Sequence, residues 1–217
     1  MESLIQTITI YALPVIFAIT LHEAAHGYVA RYFGDLTAYA QGRVSLNPLR
    51  HIDPIGTIVV PLTILLLSKL AGTGGFLFGW AKPVPVNFAN LRNPKRDMLW
   101  VAAAGPGINF AMALAWALAF KLQIVLGLRE EFFFDMAQAG IIVNLVLMVL
   151  NLLPLPPLDG GRIMVSLLPH QLAWKFAQLE RWGFPLLILL LMTGLLGRVL
   201  TPLVDMLLLL INFLFAF

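Results

Sequence analysis

Cysteine is absent from this 217-residue chain. Neither a disulfide nor a cysteine-based metal site is therefore possible. Charge is scarce too. Only 12% of residues are Asp, Glu, Lys or Arg, about half the 25% or so of a soluble domain. With 60% hydrophobic residues and a mean hydropathy of +0.89, the chain reads as an integral membrane protein. Its length suits one compact bundle with no separate soluble domain. Internal repeats and low-complexity tracts are lacking. The net charge of +3, from 14 basic and 11 acidic residues, is too small to argue for nucleic-acid binding, and we read it as topology. Met1-Glu2-Ser3 lacks the basic n-region of a signal peptide, so the first apolar run is expected to be a retained transmembrane helix.

Against this background stands His22-Glu23-Ala24-Ala25-His26. On a helix, residues four apart project from one face about one turn apart, a spacing that suits two ligands of one zinc ion. Glu23 beside them is placed to take a proton from a water that the metal activates. Polar residues inside a membrane helix are costly and mark functional sites. The plainer alternative is two core histidines hydrogen-bonding between helices. A second cluster favours the metal. The apolar run 136–153 ends at Asn151-Leu-Leu-Pro154-Leu-Pro156-Pro157-Leu158-Asp159-Gly160-Gly161. Its prolines break the helix, and unwound backbone at membrane depth is tolerated only inside protein or along a cavity. Asp159 is the candidate third ligand; alone, it would read as an ordinary helix N-cap. Asn151 is the candidate donor to an oxyanion. His51, in a loop, could approach a metal but reads more simply as a solvated histidine.

The expected fold is an all-α polytopic membrane protein. It has about five transmembrane helices, a re-entrant segment at 55–71 and a short β-hairpin near 42–49. Clear spans fall at 4–30, 98–121 and 136–153. Val and Leu alternate with polar residues in 41–48, which favours strand, and an exposed edge there could hold an extended peptide by strand addition. Gly105-Pro106-Gly107-Ile108-Asn109 lies in the second span; its small residues permit close helix contact, and Asn109 is expected to hydrogen-bond across the bundle. Residues 170–182 read as an interfacial helix anchored by Trp174 and Trp182. Residues 184–217 read as two short helices. We treat 1–217 as one domain, with a catalytic core over about 4–165 and C-terminal helices at 170–217.

Parity gives a geometric test. His22 and Asp159 both lie late in their spans, so they meet at one depth only if those helices run in the same direction. One full crossing between them achieves this; a second, at 55–71, would put them on opposite sides. With 55–71 making no net crossing, the 14 basic residues split 11 to 3, against about 8 to 6 otherwise. By the positive-inside rule the site faces the cytosol and the N-terminus lies outside.

The residues also carry a resemblance. His22-Glu23-x-x-His26, with Asn151-x-x-Pro154-x-x-Pro157-x-Asp159-Gly160 and Gly105-Pro106-x-x-Asn109, resembles the motifs of the site-2 protease family, the peptidase M50 group. That resemblance implies an intramembrane zinc metalloendopeptidase with one Zn2+ per chain. His22, His26 and Asp159 would be ligands, Glu23 the base, and Asn151 an aid to the oxyanion. It further implies a transmembrane protein substrate, a bacterial or archaeal cell membrane and no nucleic-acid partner. Family members often carry a PDZ or CBS domain, and neither is evident here. The rival reading is a transporter or non-catalytic pseudoprotease that uses the polar cluster for binding; the intact Glu23 argues against it.

Overall fold

The computed structural model describes residues 4–60, 63 and 81–216, and among these its regular elements are all helical, with no strand. Helix α1 is Leu4–Tyr32 and α2 the single turn Thr37–Ala40. The long helices α3, Pro94–Val125, and α4, Glu131–Leu152, follow. Then come α5, Asp159–Leu167; α6, His170–Ala177; α7, Glu180–Met192; and α8, Leu195–Phe215. Among the described residues four helices (α1, α3, α4 and α8) are long and apolar enough to cross a membrane. Among the described residues the counterpart of the expected fifth span is α7. At 13 residues that helix is about 20 Å long, short of the roughly 30 Å hydrocarbon core. Most of the expected re-entrant segment lies outside the described residues. Its start is a π-helical stretch, Pro54–Val59, capped by Asp53.

Helices α1, α3 and α4 pack against one another and form the frame of the site, with α5 against α3. Small residues let α3 and α4 approach. Ala113 and Ala117 of α3 meet Ile141, Leu145 and Val149 of α4, with Val204 and Ile211 of α8 closing the cluster. A second apolar group ties Ala30 of α1 to Leu91 and Val101. Trp174 and Trp182 are both exposed, as interfacial anchors would be, but the expected single helix over 170–182 is broken between α6 and α7.

The hairpin expected near 42–49 does not form. Side chains and turns satisfy the backbone there in place of a ladder. Arg50 donates to the Gly42 carbonyl at 2.6 Å, and His51 Nε2 donates to the Ser45 carbonyl at 2.8 Å. Asn47 N–H donates to Ser45 Oγ, and Leu49 N–H donates to Asn47 Oδ1.

Candidate metal centre

His22 and His26 lie on α1, and Asp159 opens α5 just beyond the broken end of α4. The fold brings the three together, as the parity reasoning requires. His22 Nε2 is 3.1 Å from Asp159 Oδ2, His26 Nε2 is 3.2 Å from it, and the two Nε2 atoms are 3.1 Å apart. The imidazoles meet edge to face, with centroids 4.7 Å apart. All three side chains are buried. Asp159 is not an N-cap; Leu158 holds that position, and the carboxylate turns toward the histidines.

Hydrogen bonds behind the trio fix which atoms can serve as ligands. His26 Nδ1 faces the Val101 carbonyl at 2.7 Å. A carbonyl only accepts, so Nδ1 carries the proton and Nε2 a lone pair when the ring is neutral. For His22 the same result comes through a relay. Asn144 Nδ2 donates to the Gly140 carbonyl at 2.8 Å, which turns Asn144 Oδ1 toward Asn109. Asn109 Nδ2 donates to that oxygen at 2.9 Å and to the Ala18 carbonyl at 3.3 Å. Asn109 Oδ1 therefore faces His22 Nδ1, at 2.5 Å, and takes its proton in hydrogen bond. Neutral rings thus leave three lone pairs converging from His22, His26 and Asp159. Asp159 Oδ2, though buried, has no hydrogen-bond donor of its own. A cation between the three atoms would relieve this arrangement, and the donor set of two imidazoles and a carboxylate suits zinc. Among the described residues these three form the group able to hold a metal ion.

A cavity of about 110 Å³ opens beside the trio. Glu23, Asn151 and Arg162 line it, together with Pro83, Val84 and Leu158. Glu23 Oε2 accepts from the Val84 N–H at 2.7 Å. Asn151 Nδ2 donates to the Leu147 carbonyl at 3.0 Å, one turn back on α4, which leaves one amide hydrogen for the cavity. His51 stands apart from the trio, its Nε2 committed to Ser45.

Asn109, expected to bond across the bundle, does so against His22 itself. The involvement of Val101, Asn144 and Val84 had no evident signal in the chain. One sign of this α3 face was present. Val101, Gly105 and Asn109 are spaced by four and share one face of α3. Gly105 sits between the other two because a Cβ there would come within 2.5 Å of His22 Cε1 and His26 Nε2. Gly160 and Gly161 play the same part for the broken segment, where a Cβ would strike the backbone of Leu153 and Pro156.

Comparison with known proteins agrees with this geometry. The model of the family described as "Peptidase family M50" matches residues 128–192, the part that holds Asn151 and Asp159. The Bacillus subtilis protein named "Putative zinc metalloprotease YwhC" is 38% identical over 200 residues, covering 88% of this chain and 84% of that one. The Mycolicibacterium smegmatis protein named "Putative zinc metalloprotease Rip2" is 29% identical over 191 residues, covering 84% of this chain and 66% of its own length. No solved structure gives a significant match.

Proposed function

This chain belongs to peptidase family M50 and is a zinc metalloprotease, and from that premise we propose that it cuts peptide bonds within or beside transmembrane segments of other membrane proteins. The observation that carries the reading is the buried trio of His22, His26 and Asp159 among helices long enough to span. In this reading they hold one zinc ion per chain. Three protein ligands leave a position open, the pattern of catalytic rather than structural zinc sites. When bound, the ion acidifies a water and polarises the scissile carbonyl. Glu23 takes the proton of the attacking water and returns it to the departing amine. Asn151, already oriented by its bond to Leu147, gives its remaining amide hydrogen to the oxyanion. The catalytic core spans about 4–165.

The substrate follows from the setting. A transmembrane helix locks its carbonyls in hydrogen bonds, so the segment to be cut must unwind or extend first. The bias of basic residues toward the side that holds Arg31, Arg92, Lys95, Arg96 and Arg162 supports a site facing the cytosol and an outside N-terminus.

Cleavage of a model single-span substrate in proteoliposomes tests the proposal. Glu23→Gln is expected to keep its zinc and lose about 10²–10⁴-fold in rate, the usual worth of a general base. Undiminished activity in that variant contradicts the proposal.

A further inference from the structure

Residues 81–87 run without regular structure along one wall of the site, and they are pinned along their length. Lys82 N–H donates to the His51 carbonyl at 2.9 Å. Val84 N–H donates to Glu23 Oε2 at 2.7 Å. Asn87 N–H donates to Asp35 Oδ2 at 2.6 Å. Arg43 Nη2 clamps the same strap from its carbonyl side, donating to Lys82 O at 2.7 Å and to Pro83 O at 3.3 Å. Pro83 and Pro85 restrict φ on either side of Val84 and contribute no N–H.

The seat of the strap lies on α1 next to Glu23. Gly27 is four residues on from Glu23 and shares its face. A Cβ on Gly27 would come within 3.3 Å of Val84 Cγ1 and 2.9 Å of Val44 Cγ2. The missing side chain is what lets Val84, itself buried, rest against the helix.

We infer that this strap is a fixed positioning element for Glu23. Val84 N–H holds one carboxylate oxygen, leaving Oε1 to receive the proton, while Arg43 and Asp35 act from a distance as positioning residues. The inference rests on Glu23 being the base, as proposed above. Its physical basis is that a charge-assisted hydrogen bond to backbone fixes the carboxylate more tightly than its own torsions do. Small misplacements of a reacting group are costly, about 10²-fold for 1 Å.

The test uses the full-length, zinc-loaded protein and begins with amide hydrogen exchange. Because Pro83 and Pro85 lack amide hydrogens, Val84 is the sole exchanging amide in 83–85, so its protection is read cleanly. We expect slow exchange in the native protein, unchanged when an uncleavable substrate analogue binds, and faster by about tenfold or more in Glu23→Ala. Arg43→Ala is expected to lower kcat about 10- to 100-fold with KM within about twofold and zinc content intact, with Arg43→Lys recovering part of the loss. Gly27→Ala provides a second variant that unseats the strap without removing a charge, and the same kcat loss is expected. Exchange at Val84 that ignores Glu23→Ala overturns the inference. So does a raised KM with unchanged kcat in both Arg43→Ala and Gly27→Ala. Loss of Val84 protection on binding the analogue overturns it too, because the strap would then be a displaced lid. The two readings fail separately: an active Glu23→Gln removes the protease mechanism, whereas an inactive one with Val84 indifferent to Glu23 removes only the strap.

Discussion

In the proposed metal site, the smallest unit that decides the chemistry is the tautomer of His22. A neutral imidazole offers one lone pair, and whichever nitrogen bears the proton cannot bind metal. Asn109 settles the choice, because its own amide is oriented by Asn144 and, through it, by the Gly140 carbonyl. Groups of this kind behind metal ligands are typically worth 10- to 100-fold in metal affinity. We therefore expect Asn109→Leu, which keeps the bulk and removes the acceptor, to weaken zinc binding by about that factor in competition with a chelator. Asn144→Leu should weaken it less, since Asn109 keeps its bond to Ala18. An unchanged affinity in Asn109→Leu would show that the relay does not set the tautomer. This arrangement was only half legible in the chain. The pair His22 and His26 declares itself by a spacing of four within one helix. The Asn109–Asn144 contact joins α3 and α4, and depends on how two helices cross, which no local pattern encodes.

At the scale of elements, the segment between α1 and α3 departs furthest from expectation. Alternation at 41–48 predicts strand, yet alternation reports only that one side is apolar. Here Val44 turns to α1 at Gly27, while Arg50 and His51 take the backbone carbonyls a neighbouring strand would have used. The element that takes shape instead is held by buried Asp35. It accepts from Thr37 N–H and Thr37 Oγ1, from Asn87 N–H and from Asn90 Nδ2. Burial opposes its charge, but these four donors together outweigh it and hold the carboxyl below its ordinary range. A group with a depressed folded pKa contributes stability above its unfolded value of about 4. That contribution fades as the pH falls from there through the lower folded value. Asp35→Asn should thus lower stability by about 1–3 kcal/mol at pH 7, and the two proteins should converge below about pH 4. Thermal melts in detergent across that range check both parts; a gap that persists or grows in acid contradicts the assignment.

For the whole molecule the question is orientation. The chain's lack of cysteine makes accessibility labelling clean, since each introduced thiol is the only one present. Cysteines at positions 2, 94 and 130 should label from outside, inside and outside respectively. Labelling of 2 and 94 from one side would remove the α1 crossing that the orientation assumes. The spans themselves were readable because long apolar helices are their own signal, and α1, α3 and α4 follow the three clear runs to within about five residues. The C-terminal run was harder. Gly194, with its positive φ, ends the partnership of α7 and α8, so one apolar stretch yields a short helix and a spanning one. The meeting of α1 with the broken end of α4 was reachable from the two motifs taken as ligands of one ion, which must share a depth; the consequence drawn for 55–71 falls mostly outside the described residues.

That meeting is also what a single measurement tests most directly: zinc per chain in the purified protein, native against Asp159→Ala and Glu23→Gln. We expect about one zinc ion per chain in the native protein and in Glu23→Gln, and close to none in Asp159→Ala, since structural knowledge of catalytic zinc sites assigns all three protein ligands to the binding energy. A metal-free native protein, or an Asp159→Ala variant that keeps its full zinc, would contradict a metal centre built from His22, His26 and Asp159.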